Sequence, residues 1–236
     1  MNKVCVVSSY VPLQVRHLSA EAYRNYGRLI EEVSKIKHQT CFFWNFPFEQ
    51  CWLMRQHPEV IKYKPATVTP ADRYATTLDH VKSNIVQHSR TEWALHAAQQ
   101  NPDVDVVVWL DLGILKQGAF RNNIVTTSHV AEFLDKVARY DFVDVPFPGI
   151  TTPREPINPY GNNWRFCGST HIWPVKWLKQ IDECYRRKTL GFIHCFGCIP
   201  LDLAIWPLVE RDSGVPFKFY QAEYDASQLT EFPCAS

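Results

Sequence analysis

An α/β fold with a mixed, mostly parallel sheet and helices on both faces is predicted by three features of the chain. Short β-branched or aromatic runs alternate with segments of helical periodicity, which is the order that lays strands side by side with helices packed over them. One run, Val104 to Leu110, is almost wholly apolar and follows a helical segment, as a central strand buried on both faces does. The 236 residues, 46% hydrophobic and 21% charged, are enough for one sizeable core and too apolar for a disordered chain. One domain over residues 1–236 is therefore expected.

The elements follow in order. Val4 to Tyr10 reads as a first strand, ended before Pro12. Ser19 suits a helix start, and Glu21 to Lys35 sets Tyr23, Tyr26, Leu29, Ile30 and Val33 on one side. Thr40 to Trp44 is a second short strand, and residues 45–70 read as loop with a short helix. From Pro70 a long helical pattern runs through Leu78, Val81, Ile85, Trp93 and Ala98 to the stop at Asn101-Pro102. After the 104–110 strand, residues 129–138 form an amphipathic helix, and Tyr140 to Val143 reads as a strand. The five prolines of residues 146–163 suggest a loop over a site. Trp164 to Ile172 is strand-like, Pro174 opens a helix to about Arg187, a further helix covers 200–212, and Phe217 to Tyr220 is a last strand.

Composition narrows the function. A net charge of +1 gives no general attraction to nucleic acid or an anionic membrane. No run approaches the roughly 18 apolar residues of a spanning helix. The N-terminal residues read as a strand rather than a signal peptide, so a cytoplasmic location is expected. The eight cysteines are scattered, and in that compartment they are expected to be reduced. Cys195-Phe-Gly-Cys198 has no second ligand pair at zinc spacing. Eight tryptophans is a high number, and flat rings suit both a core and stacking on sugars or bases.

Asp111 is the residue that draws attention, because ligands in open α/β sheets bind beyond the carboxyl ends of the strands. The long helix carrying Arg73 and Lys82, followed by an apolar strand ending in Trp109-Leu110-Asp111, resembles the nucleotide-sugar half of the GT-A fold glycosyltransferases. Enzymes of this kind end that strand in an Asp-x-Asp motif, which holds the donor's ribose and a divalent metal. Here the motif is degenerate, Asp111-Leu112-Gly113.

The resemblance implies a donor half over about residues 1–115 and an acceptor half over about 116–236. It places Ser8, Ser9, Tyr10, Arg73, Lys82, Trp109, Asp111 and Gly113 at the nucleotide sugar, a UDP-sugar in the first instance. Trp164, Arg165, Gly168, Ser169 and His171 would frame the sugar and acceptor. Asp202, ahead of Asp144, would be the base of an inverting transfer. A Mn²⁺ or Mg²⁺ ion would be held by Asp111 with His194 or His171, or else replaced by the positive charges of Arg73 and Lys82.

The acceptor is a free hydroxyl on a glycan, small molecule, protein or modified DNA base, the last because small transferases of this kind occur in phages and large viruses. Two other readings stay open. One is a nucleotidyltransferase or other nucleotide-processing enzyme, although no glycine-rich phosphate loop follows the first strand. The other is an inactive nucleotide-sugar binding module, suggested by Gly113 in place of the second aspartate.

Overall fold

The computed structural model describes residues 1–11, 28, 31, 38–44, 46–66, 77–111, 114–116, 123–150, 165–223 and 225–233. Arg28 and Glu31 are helical, and the rest of the 21–35 helix expected from the sequence lies outside the described residues.

The main sheet has four strands in the order β2-β1-β4-β6. β1 (Val4–Tyr10) lies parallel to β2 (Gln39–Trp44) on one side and to β4 (Val106–Leu110) on the other. From β1 the chain goes on to β2 on one side, and after β4 it adds β6 (Thr170–Pro174) on the other, so the crevice at this switch point opens at the carboxyl ends of β1 and β4. β6 is antiparallel to β4, so it begins beside the end of β4. The residues before Thr170 are delivered to the same edge as Asp111, and the Asp111 amide donates to the Ser169 carbonyl at 2.9 Å.

Alternation along the strands divides the core in two. Cys5, Val7, Val107, Trp109 and Trp173 point to one face. There they meet α2 (Thr77–Gln87), α3 (Arg90–Gln100), α5 (Val175–Phe196) and α6 (Asp202–Asp212). Val4, Val6, Val106, Val108, Leu110 and Ile172 point to the other, under α4 (Thr127–Arg139) and the short α7 (Ser227–Thr230). Every residue of β4 is buried, as expected of a strand with helices above and below.

Five expectations need correction. The strand expected over Trp164 to Ile172 begins only at Thr170, residues 165–169 being irregular. The long helical pattern after Pro70 is two helices, α2 and α3, separated at His88-Ser89. Residues 46–66 hold the expected short helix, α1 (Trp52–Gln56), but also two 3₁₀ segments and the two-residue β3 (Lys64–Pro65), which pairs with β7 (Cys198–Ile199). Tyr140 to Val143 is not a strand; β5 is Val145–Gly149, inside the presumed proline loop, and it pairs in parallel with β8 (Phe217–Gln221). Its prolines are tolerated because the bonds to the β8 side start at Val145 and end at Gly149, the odd positions, so Pro146 and Pro148 turn their nitrogens away from that partner. The helix expected to stop near Arg187 continues to Phe196 and ends at Gly197, whose φ of 64° gives the left-handed cap.

Among the described residues no helix is long and apolar enough to cross a membrane.

Candidate functional site

Arg90 is the first residue of α3, and only 7% of it is exposed. Helical spacing puts it on the same stripe as Trp93, Ala94 and Ala97, all buried, so the helix turns its one charged side chain of that stripe inward. The guanidinium lies 5.4 Å from the centre of the Trp109 ring, which itself stacks on Trp93 at 5.8 Å and 14°. This aromatic floor is an electrostatically favourable seat for a cation.

Two carboxylates and a carbonyl complete the cage. Nη2 of Arg90 donates to Oδ1 and Oδ2 of Asp111 at 3.0 and 3.1 Å. Nη1 donates to Oδ2 of Asp202 at 2.5 Å and to the Gly168 carbonyl at 2.7 Å. Asp202 opens α6, and its other oxygen accepts from the Leu203 amide at 2.9 Å. The Trp109 indole N–H donates to Oδ1 of Asp111 at 3.1 Å, which fixes the carboxylate from a second direction. Burial holds both carboxyls above their usual range, and the Arg90 charge offsets only part of that rise. The carboxylates differ in access: the Asp111 side chain is 31% exposed and that of Asp202 only 4%. Asp111 is the side of the cluster that a ligand can touch.

A buried histidine braces this arrangement from beneath. Nε2 of His88 lies 2.9 Å from the Pro200 carbonyl, which can only accept, so that nitrogen carries the proton. Nδ1 is left to accept from the Tyr185 hydroxyl at 2.8 Å. Desolvation lowers the His88 pKa to about 4, so the ring is neutral near pH 7. The bond to Pro200 anchors the loop that leads into Asp202, and Asn84 donates to the adjoining Ile199 carbonyl at 3.4 Å.

The residues singled out from the sequence divide into groups. Asp111, Asp202, Trp109, Gly168 and Ser169 come together around Arg90, which the sequence reading missed. Ser8 stands at the same edge, but its buried hydroxyl donates to the Leu110 carbonyl at 2.5 Å and ties β1 to β4. Ser9 is half-buried at the end of β1. His171 faces the same side as Trp109 but is buried and stacked 5.2 Å from Trp173, its pKa held low by burial and then by the Arg90 charge. Arg165 is ion-paired with Glu210 and lies over the Phe147 and Phe219 rings, a packing role rather than an open contact.

Three others stand apart. Asp144 precedes β5, at the opposite end from Gly149, and accepts from the Tyr140 hydroxyl at 2.8 Å. Lys82 lies in α2 with Nζ 5.9 Å over the Phe48 ring. His194 is exposed in the last turn of α5. Arg73, Gly113, Trp164 and the side chain of Tyr10 lie outside the described residues.

A divalent ion does not fit the cluster as it stands. Both Asp111 oxygens already accept from Arg90, and the space between Asp111 and Asp202 holds its guanidinium. Among the described residues no three His, Cys, Asp or Glu side chains converge as a metal-binding group.

No family model matches the chain, and no curated protein does. Its fold is similar to a solved structure, the crystal structure of a glycosyltransferase involved in the glycosylation of the major capsid of PBCV-1. The likeness has a TM-score of 0.51 and 10% sequence identity, over 92% of this chain and 82% of that one.

Proposed function

We propose that the chain is a glycosyltransferase of the GT-A type, which moves a sugar from a nucleotide-sugar donor to an acceptor hydroxyl. The observation that carries the reading is the fold, similar over 92% of the chain to that of a glycosyltransferase. It is supported by a partly open carboxylate, Asp111, at the carboxyl end of β4, where such sheets take ligands.

In this reading residues 1–115 contribute the donor side and 116–236 the acceptor side. Asp111 accepts a hydrogen bond from a hydroxyl of the donor. A carboxylate has about four lone-pair sites, and Arg90 and Trp109 take three of those of Asp111, which leaves one on Oδ2. Held from two directions, it meets the ligand already oriented and loses little freedom on binding. Asp202 takes a different role from the base expected of it: with one oxygen on Arg90 and the other on the Leu203 amide, it positions the cluster. UDP-sugars are the first donors to try. The acceptors to try are glycans, small molecules, proteins and modified DNA bases.

The experiment is a thermal-shift screen of nucleoside diphosphates and nucleotide sugars, followed by release of the diphosphate from any donor that binds. Ligand at 100 times its dissociation constant stabilises by about 2.7 kcal/mol, which is readily measured. The expected result is a shift with one nucleotide class, lost in Asp111→Asn. A panel of UDP-, GDP-, CDP- and TDP-linked compounds that all leave the melting point unchanged sinks the reading.

A further inference from the structure

The cage around Arg90 is made of the oxygens that ordinarily hold a hard cation. Asp111 presents both carboxylate oxygens, Asp202 presents Oδ2, and Gly168 presents its carbonyl, all within 3.1 Å of the two terminal guanidinium nitrogens. Carboxylates and a backbone carbonyl are the donor set of Mg²⁺- and Ca²⁺-type sites. Here the positive charge comes from the chain itself. It arrives from the first turn of a helix, where the backbone dipole disfavours a cation, so the position is costly unless the acidic cage holds it.

We propose that Arg90 is a built-in cation: it occupies the place of a divalent ion between Asp111 and Asp202, and donor binding at this edge needs no metal. The functional half rests on the transferase reading; the structural half, that a guanidinium fills a latent metal cage, stands without it. Arg90 acts through Asp111 and is a positioning residue. The two carboxylates bring two negative charges against its one positive charge. Removing the guanidinium therefore leaves close, uncompensated carboxylates, which a divalent ion can neutralise with oxygen ligands at about 2.1 Å. A merely structural arginine predicts loss of stability on removal but no new affinity for metal.

The test follows the electron paramagnetic resonance signal of free Mn²⁺ during titration with the full-length protein. The wild type is expected to leave the signal unchanged. Arg90→Ala is expected to take up Mn²⁺, Arg90→Ala combined with Asp111→Asn to lose that uptake, and Arg90→Lys, which returns a charge to the cage, to take up none. Wild-type uptake that Asp111→Asn removes overturns the proposal. So does a folded Arg90→Ala protein that takes up no metal. Should Arg90→Ala fail to fold, the wild type still decides: its melting temperature is expected to be the same in Mn²⁺ and in EDTA, and a rise in Mn²⁺ that Asp111→Asn abolishes overturns the proposal. Nucleotide binding is expected to be equal in EDTA and in Mn²⁺, and binding that appears only with Mn²⁺ refutes it. Absence of nucleotide binding under both conditions counts instead against the transferase reading, and the Mn²⁺ titration is unaffected by it.

Discussion

The two faces of the main sheet are built from the same strands and packed on different principles. Under α4 and α7 the core is mainly apolar: Val130, Phe133, Leu134 and Val137 meet Val6, Val108 and Ile172, with Phe232 set edge-on to Phe133 at 5.3 Å. Among the described residues its buried polar side chains, Ser8, Thr170, Asp225 and Gln228, include only one carboxylate. Under α3, α5 and α6 the aromatic core is interrupted by buried His88, Arg90, Thr91, His171, Asp182 and Asp202. Buried polar groups cost free energy unless each finds a partner, so the second arrangement tolerates far fewer alternatives. One face holds the sheet together. The other also holds a carboxylate at its edge in a fixed direction.

Truncation on each face is the most direct way to break this contrast. Arg90→Ala leaves Asp202 buried without its counter-ion and is expected to cost about 3–5 kcal/mol in denaturant unfolding. It is also expected to abolish donor binding, since Asp111 loses the group that orients it. Leu134→Ala, fully buried under α4, is expected to cost a comparable amount, about 2–5 kcal/mol. At a temperature where that variant remains folded, its donor affinity should equal that of the wild type. Equal loss of binding in both variants, measured on folded protein, would mean that the two faces are not functionally distinct.

A milder probe is pH. The folded-state pKa of His88, about 4, lies below the ordinary value of 6.5, so folding favours the neutral ring. Its contribution is fully present above pH 6.5 and is lost as pH falls toward 4, by about 3 kcal/mol. His171 is displaced in the same direction and adds to the loss. The raised pKa values of Asp111 and Asp202 work the other way, since their contribution is greatest at low pH and fades as pH rises through the raised values. The His88 part is isolated by substitution: between pH 4 and 7 the slope of unfolding free energy against pH should be less positive in His88→Gln than in the wild type, by up to about one proton. An unchanged slope in that variant would place the acid sensitivity elsewhere than beneath the polar face.

The sequence showed the two faces unequally. β1, β2, β4 and the α4 helix were legible because period-two and period-3.6 patterns are local properties of the chain. Asp111 was legible because a carboxylate at the end of a buried strand is conspicuous. β5 was hidden by Pro146 and Pro148, which read as loop signals although their missing N–H groups face away from β8. α5 was read short because Lys188, Thr189 and Gly191 break its apolar stripe before the last two turns.

Arg90 escaped notice for two reasons. The break at His88-Ser89 was hidden inside one long helical pattern, and the Arg90 partner Asp202 lies 112 residues further along the chain. The available signal was an arginine on the buried stripe of Trp93, Ala94 and Ala97. A charge at such a position asks for an acidic partner, and the chain does not say locally which one.

The smallest expected effect tests the contrast at its quiet end. Thr126 caps α4 by accepting from the His129 amide at 3.3 Å, while Nδ1 of His129 accepts from the Thr126 amide at 3.3 Å, so two otherwise unpaired donors are satisfied at once. Thr126→Ala removes the first of these bonds and weakens the second, at an expected cost of about 0.5–2 kcal/mol in thermal or denaturant unfolding. The helix carries Phe133 and Leu134 into the apolar face and supplies nothing to the Arg90 cage, so donor affinity should be unaltered. Weaker donor binding in Thr126→Ala, measured well below its melting temperature, would show that the apolar face transmits helix-end disorder through the sheet to Asp111. Unaltered binding confines the demands of the site to the polar face, where His88 and Arg90 set the position of the two carboxylates.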